Sequence, residues 1–167
     1  MARVIFVLAQ KDFRDEELLH PKQVFEAAGV ECKVASTTRE CTGMLGARVT
    51  ADMLLSEVKE KDFNAIVFVG GGGSSIYWND KTAHSLVNAF YKAGKPTCSI
   101  CLATGTLANA GVVRGRKVTG WPDTRPLVEK SGGTYTGADV EVDGLLITGK
   151  GPHAARAFGK RILEKLG

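Results

Sequence analysis

The chain has 167 residues, 44% hydrophobic and 24% charged, an ordinary balance for one folded soluble domain spanning residues 1–167. No apolar run approaches the roughly 20 residues of a membrane helix, and MARVIFVLAQ reads as a first strand, so a cytoplasmic protein with no membrane partner is expected. The net charge of +4 is scattered, without a basic stripe interleaved with aromatics, which argues against nucleic acid, and the four cysteines are expected as free thiols.

Val4 to Leu8 is a continuous, β-branched apolar run, the pattern of a strand buried on both faces. A helix is expected from Asp15 to Ala28, closing at Gly29, and then a strand over Cys32 to Ala35. Thr and Gly turn signals in residues 41–58 suggest a small hairpin with a connecting segment. Ala65 to Val69 is a second buried strand and runs into four consecutive glycines, residues 70–73. Asp80 caps a helix carrying Ala83, Leu86, Val87 and Phe90 on one face, which Gly94 and Pro96 end. Thr97 to Ile100 is the next strand and Leu102 to Ala110 the next helix. A short strand near Lys117, a helix near Thr124 to Lys130, a hairpin at Asp143-Gly144 and a last helix opened by Pro152 complete the chain.

Strands alternating with helices imply a flavodoxin-like α/β sandwich of three layers, with a mostly parallel sheet covered on both faces. In a 2-1-3-4 strand order, the segment leading to Glu17, the glycine run and Cys101 all reach the carboxyl-end rim, where such sheets bind ligands.

Cys101 follows a buried strand and opens a helix, at a turn like a nucleophile elbow, so the helix dipole is expected to lower its pKa. Cys98 completes a C-x-x-C, but three residues of strand span roughly 10 Å, beyond the reach of a disulfide, and no second cysteine pair or nearby histidine offers zinc a site. Cys98 is therefore read as core, with no metal and no cofactor implied. The glycines bring backbone N–H groups close to a ligand, while the absence of a following Lys-Ser/Thr excludes a phosphate loop. Glu17 shares its helix start with Asp12, Asp15 and Glu16, a place that attracts acids through the dipole. Pro21 removes the N–H that would bond the Glu17 carbonyl, so the chain is expected to kink there and Glu17 to project over the rim.

In order along the chain, Phe13-Arg14-Asp15-Glu16-Glu17-Leu18, Ile66 to Gly71, Ser99-Ile100-Cys101 and Ala110 to Thr119 resemble the F-x-D-x-E-L, strand–glycine, A-I-C and A-G-V-L-x-G-K-K-x-T segments of the ThiJ/PfpI superfamily. The resemblance covers almost the whole chain. It implies Cys101 as nucleophile or redox centre, Glu17 as a protonated carboxyl beside it, and an oxyanion hole from the N–H groups of Gly71 (or Gly72) and Leu102. It also implies a homodimer with the site near the interface, and Tyr77, Trp78 and Trp121, aromatics expected exposed near the rim, are compatible with lining the pocket or the contact.

Three positions depart from the family pattern. Leu102 stands where the protease branch has histidine, Trp121 where the stress-protein branch has histidine, and Ala103 where glycine is common. Proteolysis is not expected, and His20 and His153 are the candidates to replace the missing base. Three activities stay open: cysteine-dependent conversion of small carbonyl or amide compounds, redox sensing at Cys101, and a catalytically silent binding module.

Overall fold

The computed structural model describes residues 1–166. Twelve strands and five helices follow one another as β1 (Arg3–Val7), β2 (Lys11–Phe13), α1 (Asp15–Ala27), β3 (Glu31–Ser36), β4 (Glu40–Gly43), β5 (Arg48–Thr50), β6 (Met53–Leu54), β7 (Ala65–Phe68), α2 (Lys81–Lys92), β8 (Thr97–Ile100), α3 (Thr104–Asn109), β9 (Lys117–Val118), α4 (Arg125–Lys130), β10 (Thr134–Tyr135), β11 (Val140–Asp143), β12 (Leu146–Gly149) and α5 (Ala155–Leu166). Seven strands make the central sheet in the order β11-β12-β8-β7-β1-β3-β6, parallel except for edge strand β11. The four strands expected from the sequence take the 2-1-3-4 order, with β1 between β3 and β7. Among the described residues no helix is long and apolar enough to cross a membrane.

The pleat of β1 explains the layers. Ile5 and Val7 join Phe68, Phe90 and Leu107 on one face, whereas Val4 and Phe6 join Phe25 and Phe158 on the other. A strand that feeds two cores cannot alternate apolar with polar, which is why VIFV is uniformly apolar.

Several features differ from the expectations. The hairpin of residues 41–58 is β4 with β5, but β2 joins it in parallel to make a separate three-stranded sheet, and β6 extends the central sheet by pairing with β3. These strands of two to four residues are too short to show a period. The helix after Cys101 begins with a 3₁₀ turn over Cys101–Ala103. Pro21 does not redirect the chain: α1 runs through it, and the side chain is buried. A proline interrupts one backbone bond, and packing against α5 holds the helix together across it.

That packing depends on Gly159 of α5. A Cβ at Gly159 would lie 2.9 Å from Cα of Pro21, so the helices are as close as their backbones allow. Gly159→Ala sets a helix-propensity gain of about 1 kcal/mol against an overpacking cost of roughly 1–3 kcal/mol. Backbone, not a flexible side chain, is what must move, so the cost should win. Urea denaturation should show a net loss of about 1–2 kcal/mol.

Candidate active site

The carboxyl ends of β1, β7 and β8 deliver three segments to one point. After Ile100 the backbone turns sharply, and Cys101 takes φ of +62°, a left-handed conformation that a side chain rarely adopts. The strain is held from both sides. The Cys101 carbonyl accepts the Trp121 N–H at 3.1 Å, and the Leu102 carbonyl accepts the Trp78 indole N–H at 2.7 Å. Beneath the turn, the Ser99 and Thr104 hydroxyls share a hydrogen bond of 2.8 Å and Thr104 donates to the Thr119 carbonyl. The Thr119 N–H donates to the Thr148 hydroxyl, and the Thr119 hydroxyl to the Ala138 carbonyl.

On the opposite side of the sulfur, the glycine run lies against the segment leading into α1. The Arg14 N–H donates to the Gly70 carbonyl at 2.9 Å. Gly71 has φ of +102°, and a Cβ there would lie 2.6 Å from the Asp12 carbonyl oxygen. Only glycine fits. Its N–H and that of Leu102 both bear on the Cys101 sulfur and oppose the effect of burial on the thiol. Of the two glycines named from the sequence, Gly71 turns its N–H to the sulfur, and both line the cavity in front of it.

Glu17 does not project over the rim. It lies in the first turns of α1, fully buried beneath Cys101, in space left by the missing side chain of Gly70. A Cβ at Gly70 would meet both the Glu17 carboxyl and the Cys101 Cβ. The Cys101 thiol and Gly70 N–H stand next to the carboxyl, yet neither carboxyl oxygen has a hydrogen bond of ordinary geometry. Burial pushes the Glu17 pKa up to about 8, so the group is a neutral acid at neutral pH.

The expected lowering of the Cys101 pKa is not found. Burial, and then repulsion from an ionised Glu17, push the thiol up, to about 12. The helix after it has only six residues and starts with a 3₁₀ turn, so its dipole is a weak counterweight. The two acids titrate as a pair: while Glu17 keeps its proton the repulsion is absent, and its O–H can be given to the sulfur anion. Cys98 and Cys41 are buried and Cys32 half-buried, and burial raises all three thiols.

A cavity of about 250 Å³ opens over the sulfur, lined by Arg14, Met44, Gly71, Gly72, Cys101, Leu102, Trp121 and Pro152. Trp121 is 41% exposed at its mouth, and its ring packs over Gly151. The other two aromatics do not line it. Tyr77 is buried and donates its hydroxyl to the Leu8 carbonyl at 2.7 Å, because the 3₁₀ turn Gly72–Tyr77 directs it into the core. Trp78 lies behind the elbow, bracing it through Leu102 and packing against Gly105. Neither candidate base is among the lining residues. The ring of His153 meets Asp139 at 2.9 Å in an exposed pair, and His20 is half-buried on α1 near Glu16.

Three residues at the site were not picked out from the sequence as site residues. Arg14 and Met44 line the cavity, and Asp15 fixes the loop that carries Met44, its carboxylate accepting the Leu45 and Ala47 N–H groups at 2.9 and 2.8 Å. Asp15 had one signal, its match to the aspartate of the F-x-D-x-E-L segment; in the structure it packs so close to the loop that a Cβ at Gly43 would strike its carboxylate.

A sequence profile of the DJ-1/PfpI family matches residues 2–165, and the chain belongs to that family. It is 44% identical to an uncharacterised protein of Methanocaldococcus jannaschii, over 99% of this chain and 82% of the relative. It is 31% identical to a deglycase of Thermococcus kodakarensis, over 97% and 98% of the two chains. The crystal structure of a ThiJ/PfpI domain protein from Brachyspira murdochii superposes with a TM-score of 0.95 at 30% identity, over 98% of this chain and 95% of that one.

Because the folded Glu17 pKa lies above the unfolded 4.5, its contribution to stability is complete below pH 4.5 and declines as pH rises toward about 8. Over that window the wild-type chain should lose on the order of 3–5 kcal/mol relative to Glu17→Gln. Denaturant midpoints of the two proteins from pH 4 to 8.5 test this. Parallel curves would mean that Glu17 ionises normally.

Proposed function

We propose that the protein is a cysteine-dependent enzyme acting on small carbonyl or amide compounds, with Cys101 as nucleophile. One observation carries the reading. A cysteine held at φ of +62° faces two backbone N–H groups and rests on a buried, neutral carboxyl. Such a turn exposes sulfur to a ligand while the strain is borne by the fold.

The productive state of the singly charged pair is the one in which the proton has passed from the Cys101 thiol to the Glu17 carboxylate, leaving the charge on sulfur. The sulfur adds to the carbonyl carbon, forming the C–S bond as the C=O π pair moves onto oxygen. The N–H groups of Gly71 and Leu102 stabilise that oxygen. The Glu17 proton then neutralises it, giving a hemithioacetal from an aldehyde; with a 2-oxo aldehyde the carboxylate left behind moves the C1 proton to C2, giving a 2-hydroxy thioester, and water then breaks the C–S bond, releasing the 2-hydroxy acid and the thiol. The deglycase from Thermococcus kodakarensis makes adducts of 2-oxo aldehydes the first compounds to try.

Consumption of methylglyoxal, and of its adducts with N-acetylcysteine and with free amino acids, tests this. Cys101→Ser should lower turnover by at least about 10³-fold and Glu17→Gln by about 10²-fold, with Cys98→Ser near wild type. Turnover that survives Cys101→Ser would overturn the reading.

One feature favours redox sensing as a second reading: none of the eight cavity-lining residues is a histidine. In that case peroxide oxidises the thiolate to a sulfenic and then a sulfinic acid, water being the reduced product, and Glu17 hydrogen-bonds the oxidised sulfur. Oxidation of Cys101 ahead of the other thiols, in a chain without turnover, would choose this reading.

We further propose that two copies pair close to the cavity mouth, where Met44, Leu45 and Trp121 are exposed. Sedimentation across a dilution series should show a dimer, and a monomer throughout would remove the proposal.

A further inference from the structure

The geometry points to Arg14 as the residue that selects the substrate, making the cavity a site for small carbonyl compounds that carry a carboxylate beside an apolar body. This rests on the reading of Cys101 as nucleophile and adds to it the class of molecule bound. Of the eight lining residues, Arg14 alone is charged. Met44, Leu102, Trp121 and Pro152 make the rest of the wall apolar, apart from the backbone of Gly71 and Gly72 and the sulfur itself. At about 250 Å³ the space is smaller than the roughly 300–1,000 Å³ of drug-sized pockets and suits a compound of few atoms.

The guanidinium is preorganised. Its backbone N–H is fixed on the Gly70 carbonyl, and its Nε and one terminal nitrogen bond the two Glu16 carboxylate oxygens at 2.9 and 3.0 Å. Those two bonds use two of the five donors, so three N–H groups remain for a ligand. The flat fork suits a carboxylate, which it binds in two parallel hydrogen bonds.

The acids nearby leave Arg14 the one charged side chain of the cavity wall, although Glu16 offsets part of its charge through the paired bonds. Glu16 holds the far edge of Arg14 and does not line the cavity. Glu17 lies closer to the sulfur and is neutral at neutral pH. Asp15, the remaining acid of that turn, is buried and spends both carboxylate oxygens on the Leu45 and Ala47 N–H groups. Arg14 and Cys101 line the same small cavity, so a carboxylate on Arg14 brings its neighbouring carbon toward the sulfur. Apolar walls reduce screening and strengthen that attraction.

Two reagents of nearly equal size, iodoacetate and iodoacetamide, isolate the charge, since their rate ratio cancels the intrinsic nucleophilicity of the thiol. At Cys101, with N-acetylcysteine as reference, the wild-type ratio should favour iodoacetate by about 10-fold. Arg14→Met should return it to the reference value and Arg14→Lys should restore part of the preference, which a merely misfolded variant would not do. Phenylpyruvate should protect Cys101 of the wild type, but not of Arg14→Met, from iodoacetamide. Phenylacetone, which lacks the carboxylate, should protect neither. If Cys101 reacts with both reagents at the reference ratio, Arg14 does not select anions, and the nucleophile reading stands. If Cys101 reacts with neither from pH 6 to 10, both fall.

Discussion

The contact between the Cys101 sulfur and the Glu17 carboxyl constrains everything around it. Two acids pressed together in a buried place cannot both ionise, and space for the contact exists only because residue 70 has no side chain. The glycine run thus has separate duties. Gly70 makes room for the carboxyl, Gly71 turns its N–H toward sulfur in a backbone shape closed to other residues, and Gly72 forms cavity wall. α1 must then run close enough to place Glu17 under the elbow, and its packing on α5 through Pro21 and Gly159 holds it there.

The central sheet and Cys101 were legible in the sequence because both leave long-range signatures. Uniformly apolar strands such as VIFV betray burial on two faces, and a cysteine between TCSI and a helix has one available position at the sheet's rim. Glu17 was harder. Three acids in succession look alike at a helix start, and only the phase of α1 against β7 buries Glu17, leaves Glu16 to pair with Arg14 and turns Asp15 toward the loop before β5. The aromatics failed for a related reason. Consecutive residues of a 3₁₀ turn point in different directions, so Tyr77 enters the core while Trp78 braces the elbow.

Arg14 was invisible for a physical reason as well. An arginine beside acids is the commonest kind of surface pattern, and what distinguishes this one is the cavity formed by Met44, Trp121 and Pro152, which are far apart in sequence. Leu102 and Trp121, at the two positions where the resemblance led to an expected histidine, are both cavity wall. Two apolar side chains there make the site drier, which raises the weight of each remaining polar group.

The elbow rests on Ser99, Thr104, Thr119 and Thr148, whose neutral hydroxyls bond a neighbouring hydroxyl, a backbone carbonyl or a backbone N–H. None of these groups gains or loses a proton over the range in which proteins stay folded. Acidity can therefore alter the charge on the pair without altering the charge of the groups that hold the elbow.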